Sequence, residues 1–200
     1  YKRQEFPFTY HALGEGGKYL FFNTVVIRDP DSDWINSGNY AIEVYSRNRL
    51  VITPYAHTNF LMIYTTKYQA RNMSMPVAVC LGGDPAVHMA AGAIMPPGLS
   101  EFDIAGGLRG MPMEMVRAET SDLLVPADAE MVIEGEIRPY ERLPEGPKLE
   151  CFGFACGPRQ PFYAIRIHCI THRKNPIIFD GHCARGTGTA GAHETFMVLG

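Results

Sequence analysis

Five residues of this chain have types and spacings that could do chemistry: Asn36, His57, Glu101, Glu145 and Glu150. Glu101 stands in the stretch 98–112 (GLSEFDIAGGLRGMP), after a Pro-Pro-Gly-Leu-Ser lead-in that places it at a turn. A carboxylate at the mouth of a glycine-rich turn can hold a metal or an amine, because backbone and side chain reach a ligand together. Helix capping is the plain alternative. Asn36 lies in 34–39 (WINSGN), a polar turn before a strand. Its amides could face a phosphate, or it could close an Asx-turn and nothing more. His57 precedes a helical stretch, where a lone histidine serves as a ligand, a cap or a core residue. Glu145 and Glu150 bracket Gly146-Pro147-Lys148-Leu149. Such a turn can fold both acids into one pocket, and two close carboxylates push their pKa values apart, making one a proton donor. Two solvated loop acids are the alternative.

The elements that must position these residues can be read from periodicity. Residues 19–27 (YLFFNTVVI) form a β-branched and aromatic strand closed by a turn cluster at 29–33. Residues 40–45 and 49–53 make two short strands joined by a hairpin turn at 46–48. Apolar residues at helical spacing predict a helix over 58–69. The run 75–81 (MPVAVCL) reads as a strand buried on both faces, ended by Gly82-Gly83. Asp84 then caps a small-residue helix with Pro85 at its first position. Beyond the Glu101 stretch the period changes to short strands at 115–119, 123–126, 130–137, 163–171 and 177–179. Closely spaced turns with no covering helix argue a small antiparallel barrel or sandwich. The expected fold class is α+β, a mixed α/β layer packed on a β-barrel. The segment 185–192 (RGTGTAGA) reads as flexible. The buried apolar strands outnumber the helices available to cover them, so a large apolar surface is expected on the chain taken alone.

Composition excludes several function classes. With 200 residues, 46% apolar content and a formal net charge of −3, this is ordinary globular material with no basic footprint for nucleic acid. No apolar run approaches the roughly 18 residues of a membrane helix. Five cysteines (Cys80, Cys151, Cys156, Cys169, Cys183) sit mostly in apolar runs and read as reduced thiols of a cytoplasmic protein. Cys151 and Cys156 lack a second Cys/His pair at the spacing of a structural zinc site. The first residue is Tyr1 and the last, Gly200, directly follows an apolar run, as expected for part of something longer.

Several motifs occur in order: Asn36 in N-x-G-x-Y, His57, G-x-D-P at 82–85, SEFDIAGGLRGMP, VPADAEMVIEGEI, and EGP with Glu150 five beyond Glu145. Together they resemble the UbiD family of reversible decarboxylases. The resemblance covers about 19–200 and is densest over 82–147. It implies a flavin-binding region with a split β-barrel of the flavin-reductase type, here one unit over 1–200 of a longer protein or a multi-subunit complex. It implies prenylated FMN as cofactor, with Mn2+ or another divalent metal and K+ as a further ion. Asn36, His57 and Glu101 become the metal ligands, a hard oxygen and nitrogen set. Ser37, Gly38, Asn39 and Ala93 join them as cofactor contacts, while Glu145 and Glu150 become the catalytic acids, with Glu150 the proton donor and acceptor. The implied substrate is an aromatic or α,β-unsaturated carboxylic acid, and the implied assembly a homo-oligomer or a subunit of a larger complex.

One departure stands against these matches. Members of the family carry an arginine five residues after the metal asparagine, and this chain has Ala41 there. An alanine supplies neither charge nor hydrogen bond. Lys148-Leu149 also replaces the commoner aromatic-Gly pair, and an ammonium on a flexible stem does not reproduce a planar guanidinium. The departure leaves three functions open: an active decarboxylase with an altered carboxylate site, a non-catalytic subunit that keeps the fold, and a flavin-binding module without chemistry.

Overall fold

In the computed structural model, residues 8–11, 14–149 and 155–179 are described. Glu150 and the segment 185–192 lie outside them, as do Cys151 and Cys183, and the side chain of Cys156 is not described either. The chain runs through β1 (Tyr19–Leu20), β2 (Thr24–Arg28), β3 (Ile35–Gly38), β4 (Ala41–Ser46) and β5 (Arg49–Thr53) before its first helix, α1 (Asn59–Ile63). There follow β6 (Met75–Leu81), α2 (Pro85–Ala91), α3 (Glu101–Arg109), β7 (Met115–Arg117) and β8 (Leu124–Pro126). The long β9 (Met131–Glu145), the two-residue β10 (Lys148–Leu149) and β11 (Ala155–Cys156), and β12 (Gln160–His172) complete the order.

Eight strands form one sheet in the order β1-β4-β5-β12-β9-β6-β2-β3, and every pairing in it is antiparallel. The sheet curls into a split barrel, with helices at one end and on the outer face: an α+β fold. Alternation along the strands sorts the apolar residues into two cores. Val25, Ile27, Val77, Val79, Leu81 and Ile133 face the barrel interior, closed by Phe60, Ile63 and Tyr64 of the helical segment. Val26, Ala78, Cys80 and Val132 face outward and pack beneath Val87 and Ala90 of α2 and Phe102 and Ala105 of α3. The strand 75–81 is thus buried on both faces, by the barrel interior on one and by α2 and α3 on the other, and it pairs antiparallel with β2 and β9 along its edges.

Four local readings need correction. The strand expected over 19–27 breaks at 21–23, where Asn23 Nδ2 donates to the carbonyls of Leu20 (2.8 Å) and Tyr40 (2.7 Å) and turns the chain. The supposed polar turn at 34–39 is largely strand: β3 pairs with β2, with Asn36 opposite Ile27. Glu101 is no turn residue but the first residue of α3, capped by Ser100, whose hydroxyl accepts from Phe102 N. Residues 177–179 form no strand. The helix read over 58–69 does form, with Thr58 as its cap. It passes from α1 into a wider π turn (Tyr64–Tyr68) and a tight last turn (Gln69–Arg71).

The length of β9 matters to the site. Its two ends both pair with β12, but the register shifts between Ile137↔Ile165 and Arg142↔Tyr163, and Tyr140 inside this bulge has φ 61°. A bulge bends its strand and re-aims the side chains beyond it. Beyond it, Glu145 at the end of β9 meets Tyr19 of β1.

Candidate active site

The first cluster is built on α3 and β3. Asn36 Nδ2 donates to Glu101 Oε1 at 2.8 Å, and Ser37 N donates to Oε2 at 2.7 Å. The Glu101 residue is 2% exposed. Burial pushes its pKa up to about 7, against the opposing pull of the Ser37 amide, its own amide and the Asn36 side chain. Those donors are neutral, so an ionised Glu101 lacks a countercharge among the groups acting on it. Beside it, Asn36 Oδ1 and Ser37 Oγ are buried and accept or donate no hydrogen bond.

Buried oxygens without partners cost free energy unless something supplies the missing contact. A hard divalent cation fits that need: it would take Asn36 Oδ1 and a Glu101 oxygen and neutralise the carboxylate. Among the described residues, no three His, Cys, Asp or Glu side chains gather at metal distance. Asn36 and Glu101 meet through a hydrogen bond from the Asn36 amide nitrogen. His57 lies in the turn ahead of α1 and is exposed. Its neighbour Thr58 hydrogen-bonds Tyr40, a buried residue whose phenol is pushed up by burial and by the charge of Glu101. The structure therefore brings the His57 turn to the edge of the cluster and leaves its imidazole at the surface.

Two side chains pin the loop between α2 and α3: Trp34 Nε1 donates to Leu99 O (2.8 Å) and Asn59 Nδ2 to Met95 O (2.9 Å), while Asn39 Nδ2 donates to His88 O within α2 (2.9 Å). Ala93 sits half-buried on the same loop, its amide bonded to Ala90 O. Gly38 has a packing role: a Cβ there would lie 2.4 Å from the Tyr40 hydroxyl.

The second cluster gathers Glu145 with residues that the sequence did not mark. Tyr19 Oη donates to Glu145 Oε1 at 2.7 Å and reaches Glu43 Oε2 at 3.4 Å. Glu43 also accepts from Gly146 N (3.0 Å) and pairs with the Arg159 guanidinium. Glu43 and Glu145 are 2% and 3% exposed, and Tyr19 is fully buried. Glu43 lies two residues beyond Ala41, before the register shift of β4, and so on the same face of the strand. That parity was the available sign: an acid two positions from the departing residue, on an alternating strand. Tyr19 and Arg159 gave no sign, because their contacts join β1 and the start of β12 across the sheet. Lys148 is buried and lines a cavity of about 130 Å³ together with Glu145, Gln160 and Phe162.

A family model described as "3-octaprenyl-4-hydroxybenzoate carboxy-lyase Rift-related domain" matches residues 3–185. An uncharacterized protein of Archaeoglobus fulgidus is 34% identical over 163 residues, which are 82% of this chain and 34% of that protein. Among solved structures, the fold matches an evolved dimeric form of the UbiD-class enzyme HmfF of Pelotomaculum thermopropionicum in complex with prFMN. The TM-score is 0.83 and the identity 32%, over 88% of this chain and 40% of that one. Vanillic acid decarboxylase of Sedimentibacter hydroxybenzoicus, in closed form, matches with TM-score 0.82 and 33% identity, over 86% and 37% of the two chains. An NADH:FAD oxidoreductase of Streptomyces globisporus, 15% identical with TM-score 0.52, shares the fold alone over 82% of this chain and 81% of that one. The chain thus spans about a third of the length of the curated relative. By the extent of these matches, the chain belongs to the UbiD family of carboxy-lyases.

Proposed function

We propose that this chain carries the cofactor- and metal-binding region of a decarboxylase or carboxylase acting on an aromatic or α,β-unsaturated acid. The observation that carries the reading is the bare Asn36 Oδ1 beside a buried Glu101 without a countercharge. Asn36 and Glu101 would hold a divalent metal, Mn2+ first among candidates, with His57 closing in from its exposed turn. Ser37, Gly38, Asn39 and Ala93 would flank the phosphate end of prenylated FMN, with K+ as an accessory ion. When bound, that cofactor supplies the electron sink for loss of carbon dioxide. Glu145, which accepts a hydrogen bond from Tyr19, would serve as one acid of the reaction. Glu150 is the proton donor of this reading.

The chain would work in the cytoplasm, as a homo-oligomer or as one subunit of a larger complex. Among the described residues, no helix is long and apolar enough to cross a membrane. Ile104 and Leu108 of α3, with Ile94, Leu99 and Met111 near its ends, are exposed, as an assembly that covers this face requires.

The test is reconstitution of the complete protein with prenylated FMN and Mn2+. Flavin absorbance and metal content per chain are measured first, then release of carbon dioxide from a panel of aromatic and α,β-unsaturated acids. Binding of both groups with turnover of one panel member is the expected result. Failure to retain either flavin or metal would falsify the reading. Retention of both without turnover would make the chain a non-catalytic subunit.

A further inference from the structure

The Glu145 cluster contains more polar groups than a lone catalytic acid requires. A phenol carries one proton, and Tyr19 stands between two buried carboxylates. It donates to Glu145 at 2.7 Å, while Glu43 is 3.4 Å away. Glu43 has other partners, the Gly146 amide and the Arg159 guanidinium, and needs no proton from the phenol. Its contact with Gly146 N also fixes the backbone directly after Glu145. Gly17 leaves room for this arrangement, since a Cβ there would lie 2.6 Å from Glu43 Oε1.

We propose that Tyr19 is a positioning residue that keeps Glu145 ionised, and that Arg159 makes this possible by holding Glu43 as a carboxylate that does not compete for the phenolic proton. The inference rests on the reading of Glu145 as an acid of the reaction site. A hydrogen bond donated to the charged form of a carboxyl favours that form. Tyr19 is suited to donate at every working pH: burial pushes its pKa far above the usual phenol value, as do the bond to Glu145 and the charges of Glu145, Glu43 and Glu15. A guanidinium on Glu43 balances one of the two charges, which two close carboxylates require if both are to ionise. The rigid seat is supplied by β1, where Tyr19 pairs opposite Glu43 and its ring stacks on Phe21 at 5.4 Å. Among the described residues, the charged and titratable groups around the pair are Glu15 and His11 ahead of β1, Glu43 on β4, Lys148 on β10 and Arg159 ahead of β12.

The test uses pH-difference infrared spectra of the complete protein, without substrate. The carboxyl band lost in Glu145→Gln reports protonation of Glu145. Tyr19→Phe keeps the ring and its stack but removes the donor, so the midpoint of this band should rise by about one pH unit. Glu43→Gln removes the neighbouring charge and should lower the midpoint. In the cofactor-loaded protein, the acidic limb of kcat/KM should move in the same two directions. A merely structural disturbance would move both variants alike, and that outcome overturns the proposal, as does an unchanged midpoint in Tyr19→Phe. If the band midpoints move in opposite directions in a protein that turns over no acid, the positioning role stands and the decarboxylase reading falls.

Discussion

Asn36 and Glu101, 65 positions apart in the chain, meet through one hydrogen bond of 2.8 Å that uses the amide nitrogen and leaves the amide oxygen bare. The bond orients the asparagine, so that its unused oxygen is presented beside a buried carboxyl. Prior arrangement of this kind lowers the ordering cost of binding an ion. A buried oxygen without a partner costs free energy that a bound ion would recover.

Metal addition should therefore stabilise the complete protein. A ligand that binds only the folded state raises Tm in proportion to the logarithm of its excess over Kd. Mn2+ should raise Tm of the wild type, and Asn36→Ala should weaken Mn2+ binding by about tenfold or more. His57→Ala, at an exposed position, should leave Tm of the metal-free protein unchanged and still weaken binding. Equal Mn2+ titrations for wild type and Asn36→Ala would exclude Asn36 as a ligand.

Gly38 should prove essential to packing before it is essential to any ligand. A Cβ there would meet the Tyr40 hydroxyl at 2.4 Å and its ring at 2.7 Å, and that ring is buried. Gly38→Ala must displace the ring, an overpacking cost of about 1–3 kcal/mol. The same substitution in a Tyr40→Leu background should cost less, because the obstructing atoms are gone. Denaturant unfolding of the four proteins in this cycle measures the coupling. Additive effects would show that the glycine is needed for another reason.

Legibility in the sequence tracked the reach of each signal. The cap at Asp84 and the buried run at 75–81 are local patterns, and the folded chain keeps those elements. Glu101 and Asn36 could be singled out by motif, and they do meet. Their local conformations were misread, because a glycine-rich helix start and a polar edge strand both resemble turns. The Tyr19, Glu43 and Arg159 contacts could not be read at all. They depend on the bulge at Tyr140 and on β1 lying beside β4, and both are set by long-range pairing. Ala41 looked like a simple loss of charge, yet a guanidinium reaches the same strand face from Arg159.

Acid should loosen the link between β2 and the helical segment. Burial raises the pKa of Asp29, but hydrogen bonds from Lys67, the Asp31 amide and Ser32 outweigh it and hold the carboxyl below its usual range. Lys67 Nζ lies 2.6 Å from Asp29 Oδ2. A carboxyl with a depressed folded pKa contributes stability that is complete above its unfolded value, about 4, and fades as pH falls through the folded value. The Tm difference between wild type and Asp29→Asn should thus be constant from about pH 5 to about pH 7 and shrink on acidification below about pH 4. A difference that persists unchanged at low pH would mean that the side chain acts through packing.

The final prediction concerns Ala41 and Arg159 together. Ala41 and Glu43 point to the same face of β4, and Arg159 enters that face from the turn before β12. If the acid cluster needs one guanidinium near Glu43, its point of attachment is secondary. Arg159→Met should then lower kcat/KM of the cofactor-loaded protein by about tenfold or more, taking about 1.5–3 kcal/mol for a charge-assisted hydrogen bond. Ala41→Arg alone should change little or reduce activity, because a second cation crowds a cluster already balanced. The two substitutions combined should recover activity lost in Arg159→Met. Recovery would be read in kcat/KM, with Tm of each variant separating a repaired site from a repaired fold. If Ala41→Arg fails to rescue Arg159→Met while Tm matches wild type, the Arg159 guanidinium is needed at its own position, and the two sites of attachment are not equivalent.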